Sequence, residues 1–169
     1  MSDGEFLPQV LNLVLHGNQA IRKEVYLIIH QVLKRDNENT FLIIEHENFM
    51  KNLRKAIGNE PAEVVEKIFE IMDSLVTKAN PEQILRMVTE FNYLGCLAVL
   101  LDHELLHIKQ LGLDITLKII NSGNELPDDY NPYTLYLEEG GLVEKIILLT
   151  SYPEIGDMAA IILTMIGIN

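Results

Sequence analysis

Tryptophan is absent from this 169-residue chain, and cysteine occurs once. The single thiol, Cys96, can form no internal disulfide, so the fold must be held by its core, and a reducing compartment is its natural setting. Cys96 lies in the apolar run "YLGCLAVLL" and reads as a buried core thiol. Basic residues are also scarce: 13 Lys and Arg stand against 25 Asp and Glu, a formal net charge of −12. Nucleic acids and anionic membranes are bound by basic faces, so neither is an expected partner. A charged partner is expected to be basic. No apolar run is long enough to cross a bilayer, even "MAAIILTMIGI". The opening "MSDGEFLPQ" is acidic and polar, unlike a signal peptide. Strict apolar–polar alternation and hairpin dipeptides are missing too, which leaves no candidate strands.

What is abundant is aliphatic side chains. Hydrophobic residues make up 48% of the chain and aromatics only 7%, enough for one domain over residues 1–169 with a Leu/Ile/Val core. Their order repeats. The segments 20–57, 63–101 and 107–149 each open with a long amphipathic helix pattern, then two shorter apolar helices separated by polar breaks. The long helices begin near Ile21, Val64 and Ile108, with a weaker fourth near Ile155, spacings of 43, 44 and 47 residues. Within them the apolar residues recur every three or four positions, as in Val64, Val65, Ile68, Ile71, Met72 and Leu75. All-helical units of that period predict an armadillo- or HEAT-type superhelix of about four repeats, roughly 5–36, 37–80, 81–123 and 131–169. Asn59-Glu60-Pro61, Asn80-Pro81 and Asn131-Pro132 mark helix starts, with Pro61 expected in a first turn. The cluster Arg22-Lys23-Glu24 reads as charges on a helix surface. The acidic stretch "SGNELPDDYNP", residues 122–132, is the one long connection.

One short motif suggests chemistry. His103-Glu104-Leu105-Leu106-His107 matches H-E-x-x-H, in which two histidines one helical turn apart hold a zinc and the glutamate acts as general base. In the repeat register, however, "LLDHE" closes one helix and His107-Ile108 opens the next, so His103 and His107 straddle a turn. No third ligand follows at a set spacing. The expectation is therefore no metal at His103 and His107, with Asp102 and Glu104 capping the next helix instead. There is no glycine-rich phosphate loop and no nucleophile–base pattern around Cys96. We expect no enzyme activity, no cofactor and no small-molecule substrate.

The stretch "NPYTLYLEEGGLVEKIILLTSYPEI" resembles the C-terminal armadillo repeats of the importin-α family, adaptors that carry nuclear localisation signals. The carrying residues are Asn131-Pro132-Tyr133, Leu137-Glu138-Glu139, Gly141-Leu142 and Lys145-Ile146. Upstream, "EFLPQVLNLVLHGNQAIRKEV" and "NPEQILRMVTEFNYLGCLAVLL" are similar to other repeats of that family. The resemblance implies protein partners, a peptide or a transport receptor, and residence in cytoplasm and nucleus. It also implies a groove on the third helix of each repeat, where the family sets Trp-x-x-x-Asn pairs: slots for lysine stems, and amides for the peptide backbone. The matching pairs here are Leu27 and Gln31, Glu70 and Ser74, and Asp114 and Lys118. With Lys23 and Gln110 they form the expected groove, in which a basic nuclear signal finds no stacking slots. In the last repeat Glu138, Glu139, Glu144 and Lys145 are the expected contacts for an export receptor.

Overall fold

The computed structural model describes residues 3–35, 37–127 and 130–168. Among the described residues there are eleven α-helices, one 3-10 turn and no strand. They form two compact units, Met1–Ala79 and Asn80–Asn169.

The first unit contains α1 (Asp3–Leu11), a 3-10 turn (Asn12–Leu15), α2 (Gln19–Arg35), α3 (Glu38–Ile44), α4 (Glu47–Asn59) and α5 (Ala62–Lys78). Asn18 starts α2: its Oδ1 accepts the Ala20 N–H at 2.9 Å. α4 lacks the usual Ser, Thr, Asp or Asn cap. The His46 Nδ1 fills that role by accepting the Phe49 N–H at 3.2 Å. Pro61 lies just outside α5, at its N-cap with ψ 157°, one residue earlier than the expected first-turn position. The apolar face of α5 packs along α2, and Val64, Val65, Ile68, Phe69, Ile71, Met72, Leu75 and Val76 are all buried. Each such side chain contributes about 1.5–3 kcal/mol relative to exposure. Two polar ties close the unit. The Lys78 ammonium donates to the Leu33 carbonyl in the last turn of α2, which satisfies an otherwise orphaned helix-end acceptor. Arg22 binds Glu60 through Nε and Nη2, while Nη1 donates to the His16 carbonyl at 2.8 Å. With the Glu60 side chain only 2% exposed, Arg22 is an internal tie and not a surface charge.

The second unit contains α6 (Pro81–Phe91), α7 (Tyr93–Leu101), α8 (Leu106–Gly123), α9 (Tyr133–Glu139), α10 (Leu142–Leu149) and α11 (Gly156–Met165). Asn80 and Gln83 start α6 with a reciprocal capping box. The Asn80 Oδ1 accepts the Gln83 N–H at 2.8 Å, and the Gln83 Oε1 accepts the Asn80 N–H at 2.9 Å. The chain then turns by 77° into α7 at Asn92, the one described non-glycine residue with positive φ, 53°. Gly95 makes room for that turn: a β-carbon there would lie 2.5 Å from the Asn92 Oδ1. α7 is buried on nearly all sides, Cys96 included. This is why its sequence reads as an unbroken apolar run.

The Asn131-Pro132-Tyr133 element has a clear physical role. The Asn131 amide donates to the Ile120 carbonyl at 2.6 Å and to the Asn124 Oδ1 at 3.1 Å, and its oxygen accepts the Tyr133 N–H at 3.0 Å. One side chain thus ties the connection back to the end of α8 and starts α9. Ser122 and Gly123 belong to α8, so the connection is shorter than expected. Asp128 and Asp129 lie outside the described residues. No single described helix is long and apolar enough to cross a membrane.

Candidate functional site

The long helices α2, α5, α8 and α11 carry the positions where the repeat register expects a groove. In the first unit these positions border a real cleft. Lys23 and Leu27 of α2 face Glu63, Val64 and Lys67 of α5 around a cavity of about 220 Å³. The Lys23 ammonium lies 2.9 Å from Glu63. Lys67 pairs with Glu70 at 2.5 Å. The His30 Nε2 lies 3.3 Å from the same Glu70 oxygen, Oε2. The Ser74 hydroxyl turns inward to its own helix, donating to the Glu70 carbonyl at 2.7 Å. Gln31 is exposed.

This geometry changes the expected roles. Glu70 is not a bare carboxylate waiting for a lysine: Lys67 and His30 already hold it, and an incoming cation must compete with them. Ser74 offers its oxygen but not its proton. The cleft instead combines an apolar floor, Leu27 and Val64, with two internal ion pairs at its rim. Sequence reasoning missed Glu63, Val64, Lys67 and His30. The signal was present for two of them, since Glu63 and Lys67 stand two turns and one turn before Glu70 on the same helix face.

His30 has an unusual setting. It is buried on α2, and its Nδ1 makes no hydrogen bond. Burial pushes the imidazole below its usual value and outweighs the opposing pull of Glu70. Lys34 and Lys67 add to the depression. The neutral ring therefore sits against a carboxylate at the side of the groove.

In the second unit Gln110 is exposed on α8, while Asp114 and Lys118 are half-buried. The register continues to α11, which packs on α8. There it meets Asp157, Ile161 and Met165, which sequence reasoning did not single out; Ile161 is 55% exposed. Of the four expected C-terminal contacts, Glu138, Glu139 and Glu144 are exposed. Lys145 is not available in the same way, because its ammonium is bound to Asp102. Glu139 also lines a separate cleft of about 200 Å³ with Asn92 and Tyr136.

The H-E-x-x-H residues are not stacked on one helix. His103 lies in the turn between α7 and α8, where its Nδ1 accepts the Leu105 N–H at 3.1 Å. Glu104 is exposed in the same turn, and His107 occupies the first turn of α8. The expected caps are corrected here. The N-cap residue of α8 is Leu105, with no side-chain cap, and Asp102 is spent on Lys145. Among the described residues no group of three or more His, Cys, Asp or Glu is arranged to hold a metal ion.

No protein-family model matches the chain, and no curated protein matches it. Solved structures do. A designed armadillo repeat protein in complex with the peptide (KR)4 is similar over 95% of this chain and 64% of its own length, with a TM-score of 0.76 and 20% identity. An engineered protein is similar over 95% of this chain and 62% of its own, with a TM-score of 0.72 and 17% identity. The chain thus spans less than two thirds of either structure, and its fold is the all-α armadillo-repeat fold.

Proposed function

We propose that this chain is a protein-binding armadillo scaffold, which holds an extended segment of a partner against its long helices. The observation that carries this reading is the cleft between α2 and α5, built by register positions Lys23 and Leu27 together with Glu63, Val64 and Lys67. A solenoid presents such a surface as its usual binding face. A designed armadillo protein of similar fold holding a peptide is further support. The partner is a protein, with no role for nucleic acid, membrane, small-molecule substrate or cofactor, and the chain does no catalysis.

The finer reading is an adaptor of the importin-α kind, moving between cytoplasm and nucleus, with a degenerate signal groove. It rests on the residue resemblance around Asn131-Pro132-Tyr133 and Gly141-Leu142. Glu138, Glu139 and Glu144 are its export-receptor contacts.

Titration of the purified chain with an extended-peptide library and with (KR)4 tests both levels. Library peptides should bind, and Leu27→Asp should abolish their binding while the circular dichroism is unchanged. Hits that ignore Leu27→Asp would refute the groove. Without stacking slots, (KR)4 should bind weakly and dissociate on raising salt, since exposed charges are screened beyond about 10 Å at 0.1 M. A salt-resistant (KR)4 complex would refute the degenerate groove. Export-receptor capture, lost on Glu138→Lys with Glu139→Lys, would separate the transport adaptor from an unrelated scaffold.

A further inference from the structure

The last helix pair of the second unit is covered on one side only. α10 packs on α7, α11 packs on α8, and the two pack on each other. Leu142, Val143, Ile146 and Leu149 of α10 are buried by these contacts. The opposite stripe of α10 is not. Glu144, Ile147 and Leu148 follow one another at helical spacing on that side, and Leu148 is 70% exposed. Tyr152, in the turn that follows, is also exposed. α11 shows the same one-sidedness. In register with α8, the buried Leu113 corresponds to the exposed Ala160. The outer side of the pair is therefore bulky and apolar along α10 and small along α11. A further helix can lie there as α10 and α11 themselves lie on α7 and α8.

Charge decides what kind of helix. Residues 80–169 hold 13 acidic and four basic side chains. On α9 to α11 and the turns between them, Glu138, Glu139, Glu144, Glu154 and Asp157 are acidic, and Lys145, the one basic residue, is bound to Asp102. Arg86 and Lys109 are likewise spent inside the unit, on Glu90 and on the Leu101 carbonyl. A second copy of this acidic surface would meet like charge, which is unfavourable across an interface.

We propose that the outer stripe of α10, centred on Ile147 and Leu148 and flanked by Glu144, Glu154 and Asp157, docks an amphipathic helix of a partner protein. That helix has an apolar stripe bordered by lysine or arginine. The site is separate from the groove of the first unit and does not depend on it. Recognition is of the helix-in-groove kind, with anchors at i, i+3 or i+4 and i+7.

The probe is a synthetic helical peptide of about 18 residues, five turns, carrying leucines at that spacing and lysines on its flanks. A second peptide has glutamates in place of the lysines. Both are titrated into the full chain with methyl chemical shifts and fluorescence anisotropy as readouts. The lysine peptide should bind and shift Ile147 and Leu148. Leu148→Ser, at a solvent-exposed position, should weaken it about tenfold or more, equivalent to about 1.4 kcal/mol. Glu144→Lys with Glu154→Lys and Asp157→Lys should transfer the preference to the glutamate peptide. Leu27→Asp should change nothing. The proposal is overturned if the lysine peptide fails to bind, if both peptides bind equally, or if Leu148→Ser binds like the wild type. Loss of binding in Leu27→Asp would move the site to the groove. A dimer in sedimentation that Leu148→Ser dissociates would assign the face to a second copy instead.

Discussion

Two residues two positions apart on α10 should respond oppositely to truncation. Ile146 is fully buried and Leu148 is 70% exposed. Ile146→Ala removes three carbons from the core. At about 0.8 kcal/mol per buried methylene the transfer loss is about 2.4 kcal/mol. If the surroundings leave a cavity of about 50 Å³, the cavity cost of about 24 cal/mol per Å³ adds roughly 1.2 kcal/mol. The total, about 3.6 kcal/mol, corresponds to a fall of roughly 7–14 °C in Tm for a chain of this size. Leu148→Ala should stay within about 0.5 kcal/mol, as surface substitutions do. Urea and thermal unfolding followed by circular dichroism measure both. Hydrogen exchange should locate the Ile146→Ala loss first in α9 to α11, because a repeat leans on its neighbours only. Equal shifts in the two variants would refute the orientation of α10. A loss above about 1 kcal/mol at Leu148 would mean that its face is covered in solution.

Two further predictions rest on buried polar atoms. Burial holds the His30 imidazole below its usual value, so the unfolded chain takes up a proton more readily than the folded one. The stability this contributes is complete above the ordinary histidine value of about 6.5 and is lost as pH falls through and below it. Between about pH 7.5 and 5 the urea midpoint of the wild type should fall more than that of His30→Leu; an equal or smaller fall would show that pairing with Glu70 dominates instead. The Tyr133 hydroxyl is buried without a hydrogen bond, and Ser122 beside it donates to the Ile119 carbonyl. Tyr133→Phe should therefore be neutral or stabilising, within about 1 kcal/mol. A clear loss in equilibrium unfolding would reveal a partner for that hydroxyl.

The helices were legible because their cause is local. A 3.6-residue apolar period, Asn-Pro starts and one long amphipathic helix per repeat all act within a few residues. The long helices accordingly begin within two residues of Ile21, Val64, Ile108 and Ile155. Even the reading of His103 and His107 followed from register alone. What was not legible depends on contacts across the repeat. Arg22 and Glu60 are 38 residues apart, and Lys145 and Asp102 are 43 apart. Nothing local tells a charged side chain on a helix that its partner lies one repeat away. Arg22 and Lys145 were thus read as surface charges and are ties. The same blindness hid the contact between Glu70 on α5 and His30 on α2. The expected cap of α8 failed for a related reason: in the turn before it the His103 Nδ1 takes the acceptor role that a short polar side chain usually fills, as the His46 Nδ1 does at α4.

The register positions also constrain the ligand. On successive long helices the paired positions read Leu27 and Gln31, Glu70 and Ser74, Asp114 and Lys118, and Ile161 and Met165. No two pairs are alike. A repetitive peptide gains affinity when each of its units meets an equivalent subsite, and here no equivalent subsites exist. Tightening one contact by shifting such a peptide would worsen the next. A repetitive peptide is therefore a poor match for these positions, and within the first unit the apolar floor of Leu27 and Val64 sets a requirement of its own.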